Sequence, residues 1–422
     1  MLYTALFALL TPLLLLRLYG RGLRQPNGSA GWAARFGHYA LPALTTRPIW
    51  IHAVSVGESL AAVPLVRALQ ETQAGVPILL TTTTMTGADA ILRMLGDSVT
   101  QVYFPYDLPW VLQRFFRHFR PRLLVVMETE LWPNTFAMCR SEGVPIILAN
   151  ARLSARSLVA YRWLPAFSAG MVRTLDHIAA QTREDAERFI ALGADPGRIA
   201  VIGSLKFDVM LPPSVPEQAA AVHHALGINR PLVIAASTRP GEELIVLAAW
   251  RRVQAALPAT LLILAPRHPE RFDEVADLCR RQGFSCLRHS QRTNCAPTVE
   301  VFLIDGMGEL PPFYAAADVA FVGGSLLPFG GHNVLEPAVL GTPVVVGPHT
   351  FNFTEIVRLL ADVGALVVVE DASQLAAALL NWLGDRNERD RVGNLGRDIV
   401  HRHRGATQRT VGVIADLLAA RA

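Results

Sequence analysis

Carboxylates, hydroxyls and one lysine recur at comparable places along this chain, each time where a short apolar run gives way to a polar string. His52-Ala53-Val54-Ser55-Val56-Gly57-Glu58-Ser59 is the first such string. Thr81 to Thr84, with Thr86 and Gly87, form a hydroxyl-rich second, and Met127-Glu128-Thr129-Glu130-Leu131-Trp132-Pro133-Asn134 adds two carboxylates. Asn150-Ala151-Arg152 and Gly203-Ser204-Leu205-Lys206-Phe207-Asp208 complete the set. A carboxylate held at such a place can take a proton from a reacting hydroxyl. An ammonium can offset anionic charge. Lys206 is the single lysine beside 38 arginines, so a compact charge with rotatable donors is kept at one position where arginine serves everywhere else.

The carboxyl-terminal half offers different chemistry. Ser237-Thr238-Arg239 and Pro266-Arg267-His268-Pro269 end apolar runs, and Gly306-Met307-Gly308 reads as a tight turn. Gly323-Gly324-Ser325 leads through Gly330-Gly331-His332-Asn333 into a helix carrying Glu336. Glycine lets backbone N–H groups approach a phosphate, and a helix amino terminus favours its charge. A nucleotide with its phosphate on this glycine loop and its ribose held by Glu336 fits the pattern. GxxxxGK[ST] is absent, which speaks against a P-loop NTPase, and no GxGxxG follows the first strand, which weakens a dinucleotide oxidoreductase.

Elements that position these groups alternate along the chain. Apolar runs at Pro48-Ile49-Trp50-Ile51, Val76-Pro77-Ile78-Leu79, Arg122-Leu123-Leu124-Val125, Val144-Pro145-Ile146-Ile147, Asp176-His177-Ile178 and Arg198-Ile199-Ala200 form one set. Runs opening at Pro231, Thr260, Val301, Asp318 and Thr342 form another. Such runs separated by helical patterns indicate parallel strands buried on both faces. Leu211-Pro212-Pro213-Ser214-Val215-Pro216 between the sets cannot continue a helix or a central strand. The fold class expected is α/β, with two Rossmann-like doubly wound domains facing a central cleft that would hold the ligand. The expected division is an anchor and basic flank at 1–24, a first domain at 25–206, a linker at 207–217, and a second domain with the carboxyl-terminal helices at 218–422.

Length and composition agree with two domains, since 422 residues at 51% apolar content can fill two cores. The net charge of +4 is unevenly spread: residues 1–57 hold Arg17, Arg21, Arg24, Arg35 and Arg47 and no acid, while the remainder has 34 basic and 35 acidic residues. No clustered basic face with stacking aromatics is apparent, so no nucleic-acid partner is expected. Cys139, Cys279, Cys286 and Cys295 lack CxxC spacing, which makes reduced thiols the expectation. Residues 1–16 are uncharged and almost wholly apolar, and arginines follow rather than precede them. That order suits a membrane anchor with its arginine side in the cytoplasm, with Arg17, Arg21, Arg24 and Arg35 facing anionic headgroups. A secretory signal would carry its charge first.

Taken together, the strings HAVSVGES, METELWPN, NARLSARS, GSLKFD, PRHPERF, GGHNVLEPA and GPHTFNF closely resemble the 3-deoxy-D-manno-octulosonic acid (Kdo) transferases of lipopolysaccharide synthesis, within the GT-B glycosyltransferases. The match covers nearly the whole chain. It implies CMP-Kdo as donor, a tetraacylated lipid A precursor (lipid IVA) as acceptor, and the cytoplasmic face of the inner membrane, with anionic lipids around the anchor. It implies inversion at the anomeric carbon, with no metal and no other cofactor. Glu58 matches the family's proton acceptor, and Glu128 and Lys206 match its transition-state stabilisers. On the donor side the resemblance points to Pro266, Arg267, Gly306, Met307, Gly308, Asn333, Val334, Leu335 and Glu336, then to Ser237, Thr238, Gly324 and Ser325. On the acceptor side it points to Arg35, Ser55, Gly57, Thr83, Thr84 and Glu130. Glu58, at a helix amino terminus, is expected to favour its ionised form. Arg239-Pro240 departs from the family pattern. The alternatives are a GT-B enzyme using a UDP-sugar and a non-catalytic membrane scaffold on a degenerate fold.

Overall fold

In the computed structural model the described residues are 3–9, 11, 31–42, 44–227, 230–291 and 295–420. They fall into two compact units, one of Met1–Asp208 with His403–Ala422, the other of Val209–Arg402.

The first unit is built on β1 (Ile49–His52), β2 (Ile78–Thr82), β3 (Thr100–Tyr103), β4 (Leu123–Met127), β5 (Ile146–Ala151), β6 (His177–Ala180) and β7 (Ile199–Val201). All pair in parallel, in the order β3-β2-β1-β4-β5-β6-β7. Alternate residues of a strand face opposite sides, and β1 divides its side chains between two cores in this way. Ile49 and Ile51 pack with Leu65 and Leu69 of the helix Val56–Thr72 and with Ile414 of the last helix. Trp50, between them, packs instead with Phe115, Phe116 and Phe119 of the helix Pro109–Phe119.

The second unit repeats the plan with β8 (Leu232–Thr238), β9 (Leu261–Pro266), β10 (Cys286–Arg288), β11 (Val301–Leu303), β12 (Val319–Val322), β13 (Val344–Val346) and β14 (Leu366–Val368). These also run parallel, in the order β10-β11-β9-β8-β12-β13-β14. Val233 and Ala235 meet Trp250 and Val253 of the helix Glu242–Ala256 on one face. Leu232, Ile234 and Ala236 meet Phe313 and Tyr314 on the other.

Strand order reverses between β1 and β4 in the first sheet and between β8 and β12 in the second. At such a switch point the connections depart to opposite faces and leave a crevice beyond the carboxyl ends of the strands. The expectation of two doubly wound parallel domains agrees with this topology.

Two boundaries differ from the expectation. The chain passes from one unit to the other at Asp208 and Val209, and Val215 already opens a helix of the second unit, Val215–Leu226, with its side chain buried. The end of the chain, placed by sequence in the second domain, belongs to the first: Ala406, Val411, Ile414 and Leu418 fill the core beneath β1. Asp208 fastens this return by accepting hydrogen bonds from the Gly405 and Thr407 N–H groups, each at 2.6 Å. Most of the expected anchor, residues 1–24, lies outside the described residues, as do Arg17, Arg21 and Arg24. Residues 3–9 are helical, and among the described residues no helix is long and apolar enough to cross a membrane.

Candidate active site

Glu58 sits in the first turn of the helix that leaves β1, its neighbour Ser55 being the helix cap. The Glu58 carboxylate accepts from the Val54 N–H at 2.9 Å and from Ser55 Oγ at 2.9 Å, while Ser55 Oγ accepts from the Glu58 N–H. Glu58 as a whole is only 8% exposed. Burial pushes its pKa up, with the Glu128 charge adding to the rise, against the downward pull of the Val54 and Ser55 bonds. Burial thus opposes the ionised form that the helix terminus was expected to favour, and a carboxylate with a raised pKa holds a proton more tightly.

Across the switch point, Glu128 follows β4 with φ of 56°, an uncommon backbone for a non-glycine residue. Its carboxylate lies 3.3 Å from Lys206 Nζ. Glu130, two residues on, is pushed up to about 7, chiefly by burial and next by the Glu58 charge, with the Trp132 indole and Glu128 acting in opposite directions. Three carboxylates and the one lysine, distant in sequence, thus occupy one end of the first sheet.

Asn150 holds the lysine loop. Buried in β5 with φ of 53°, it accepts from the Leu205 N–H at 3.0 Å and from Ser204 Oγ at 3.3 Å. Sequence reading noted Asn150 as a polar strand end and missed this role, because the partner lies 55 residues away. Asn150→Ala is expected to cost about 1–3 kcal/mol through the orphaned buried Leu205 N–H and to lower turnover by loosening Lys206. Melting temperature and kcat check this; wild-type values for both would separate Asn150 from the lysine loop.

The hydroxyls expected on the acceptor side form a ledge beside Glu58. Thr83 and Thr84 Oγ1 both donate to the Val54 carbonyl, at 3.1 and 3.3 Å. Thr84 also caps the helix Met85–Leu95. Gly57 faces open space, with Ser55 Oγ 3.8 Å from where a Cβ would be. Arg35 donates to the Thr83 carbonyl at 2.7 Å and stacks 4.4 Å from the centre of the Tyr103 ring. It thus lies with the hydroxyls with which it was grouped on the acceptor side.

In the second unit, Arg267 follows β9 with its N–H on the Thr238 carbonyl, and its guanidinium is close enough to Glu336 to lower that carboxyl's pKa, although burial raises it overall. Asn333 Nδ2 donates to Glu336 at 3.0 Å and its Oδ1 accepts from the Leu335 N–H. Val334 and Leu335 side chains are buried, as is Pro266, so these three can offer a ligand backbone alone, and the Leu335 N–H is already used. Gly306, Met307 and Gly308 form a bend after β11, in which Gly306 is half-buried and Met307 is 47% exposed.

The glycine loop after β12 departs most from expectation. The Gly324, Ser325 and Leu326 N–H groups donate to Glu242 at 2.6, 2.9 and 2.8 Å, and the Arg239 N–H joins them at 2.9 Å. Glu242 is fully buried at the start of its helix. A protein carboxylate, missed by sequence reading, occupies the anion position that the glycines were expected to offer a phosphate. Ser325 is likewise internal, its Oγ donating to Val322 O and accepting from the Gly347 N–H. The signal was present as an acid in a first helical turn, the position that Glu58 occupies in the other unit. Ser237 bulges from β8 with φ of 57°. Gly323 permits that bulge, because a Cβ there would stand 2.7 Å from Ser237 O and Thr238 Cα.

Comparisons with known proteins accord with this geometry. Residues 30–209 match the family model described as 3-deoxy-D-manno-octulosonic-acid transferase (kdotransferase), and residues 286–399 match glycosyl transferases group 1. The chain is 39% identical to the 3-deoxy-D-manno-octulosonic acid transferase of Haemophilus influenzae, over 99% of this chain and 98% of that one. It is 40% identical to the protein of the same name from Bordetella pertussis, over 99% of each. Among solved structures, the UDP-GlcNAc 2-epimerase of Neisseria meningitidis bound to UDP-GlcNAc is similar in fold, with TM-score 0.58 and 13% identity over 89% of this chain and all of that one. With the carboxylates and lysine of METE and GSLKFD gathered at one sheet edge, and with full-length identity near 40%, the chain belongs to the 3-deoxy-D-manno-octulosonic acid transferases and is a glycosyltransferase.

Proposed function

We propose that this enzyme moves Kdo from CMP-Kdo to a hydroxyl of a tetraacylated lipid A precursor (lipid IVA), inverting the anomeric carbon, with Glu58 as general base. The observation that carries the reading is the buried Glu58 beside the Glu128–Lys206 pair. The acceptor hydroxyl gives its proton to the Glu58 carboxylate as its oxygen bonds to the anomeric carbon. The bond from that carbon to the phosphate oxygen breaks, and CMP leaves with the electron pair. Lys206 offsets negative charge and Glu128 stabilises the cationic sugar. Arg267, Glu336, Asn333 and the Gly306–Gly308 turn hold CMP. The family resemblance implies no metal, so chelator is expected to leave the rate unchanged.

The amino-terminal segment is assigned to the cytoplasmic face of the inner membrane, among anionic lipids. Supporting this, Tyr3 packs on Phe167 and Phe7 on Tyr106, while Leu6 and Leu9 stay 54% and 75% exposed. In the same unit Trp163 and Leu164 are 83% and 65% exposed. Thr4 donates to Asn134 of the METELWPN string at 2.9 Å, which ties this segment to the first unit. Deleting residues 1–24 is expected to shift the protein from the membrane to the soluble fraction with both units folded. Undiminished membrane recovery would overturn the assignment.

The test of function is transfer from CMP-Kdo, generated in the assay, to purified lipid IVA, with product mass as readout. A folded wild-type enzyme that forms no Kdo-bearing product would refute the reading.

A further inference from the structure

Around Gly324 the second unit brings Arg239, His332 and His268 together, and no carboxylate bonds the Arg239 or His332 side chain among the described residues. A Cβ at Gly324, where φ is +70°, would stand 2.8 Å from the His332 ring and 3.6 Å from Arg239 Cγ. Glycine is thus what lets ring and guanidinium stem close over the loop. Arg239 Nη1 contacts His268 Nε2, and its guanidinium rests 4.7 Å above the centre of the Phe329 ring. Two donor-capable atoms in this cluster, Arg239 Nε and His332 Nε2, are buried with no hydrogen-bond partner among the described residues. Nearby acids do not answer them. Glu242 is committed to four backbone N–H groups, and Glu270, 74% exposed, approaches only the far side of His268 at 3.7 Å.

Such an arrangement is unfavourable by itself. Burial, then Arg267, Arg239 and His268, drive the His332 pKa down to about 4, and burial followed by Arg239 lowers that of His268. Buried donor nitrogens without partners beside a guanidinium persist where a ligand supplies the missing acceptor. The donor proposed above has two anions on one carbon, a phosphate ester and the sugar's own carboxylate. Arg267 lies beside Glu336 and Asn333 and serves the nucleotide. Arg239, with Nη1 turned to His268, keeps its Nε edge for a planar, two-oxygen partner.

We propose that Arg239 and His332, with His268 orienting the guanidinium, form a carboxylate subsite that takes the sugar's carboxyl group, separate from the groups that hold CMP. The proposal rests on CMP-Kdo being the donor. The subsite would make the enzyme selective for nucleotide sugars that bear a carboxylate on the anomeric carbon.

Arg239→Ala and His332→Gln in the full-length chain test it. Each is expected to raise KM for CMP-Kdo by about 10- to 100-fold, the scale of a charge-assisted hydrogen bond, while inhibition by CMP changes less than about twofold. Arg239→Lys should recover part of the loss. An equal weakening of CMP inhibition would make the cluster a phosphate site and overturn the proposal, and so would an unchanged KM in either folded variant. If one variant does not fold, the other decides. Failure of the donor assignment would appear differently, as no transfer from CMP-Kdo by the wild type.

Discussion

Glu58→Gln is expected to lower kcat by about 10²- to 10⁴-fold, the range for loss of a positioned base, with little change in KM for CMP-Kdo. The substitution isolates proton transfer from structure. A glutamine Oε1 still accepts the Val54 N–H, and its amide still reaches Ser55 Oγ, so the helix cap survives. What disappears is a buried carboxylate whose pKa burial has raised above the ordinary range. A second readout tells a chemical role from a packing one. After burial, the Glu58 charge does most to hold Glu130 at about 7; its removal should move Glu130 titration downward, followed by carboxyl infrared absorption. A variant that turns over within tenfold of wild type would remove Glu58 as the base.

The second large effect is on stability. Glu242→Gln is expected to destabilise the second unit by about 2–6 kcal/mol, two buried N–H groups losing their acceptor at about 1–3 kcal/mol each. Each carboxylate oxygen of Glu242 accepts two N–H groups, Oε2 from Arg239 and Gly324, Oε1 from Ser325 and Leu326. A glutamine has one acceptor oxygen, so whichever way it turns, its NH₂ meets two donors. Local hydrogen exchange is the suitable measurement, since a two-unit chain has no single unfolding free energy. Exchange at Gly324, Ser325 and Leu326 should accelerate, and wild-type protection there would refute the bridge.

What could be read from residues alone followed burial. Strands β1, β2, β4, β5, β8, β9, β12 and β13 are buried on both faces, so each is a continuous apolar run in the chain. The strands that escaped reading are β3, β10 and β14, and all three lie at sheet edges. Thr100-Gln101-Val102-Tyr103 and Cys286-Leu287-Arg288 are largely half-exposed, and two of the three residues of β14 are exposed. An edge strand covered on fewer sides needs no unbroken apolar run.

The site divides in the same way. Types and approximate places of the candidate groups, Glu58, Glu128, Glu130 and Lys206 in the first unit and Arg267 and Glu336 in the second, were visible because each follows a recognisable strand, and the parallel strands of each sheet bring their carboxyl ends to one edge. Partnerships were not visible. That Gly324 and Ser325 serve Glu242 depends on a contact across more than 80 residues, and local pattern carries no term for it. The final helix returns to the first unit because Ala406, Val411 and Ile414 complete the core under Ile49 and Ile51, although its amphipathic pattern would suit any apolar face.

The amino-acid sequence by itself determined two doubly wound domains, the family, and which side chains stand at the strand ends, because strand burial and helix period are written locally. Which carboxylate is buried with a raised pKa, Glu58, and which is tied up by four backbone N–H groups, Glu242, came from the folded structure alone. Desolvation and hydrogen-bond partners set that difference, and both are properties of the folded surroundings.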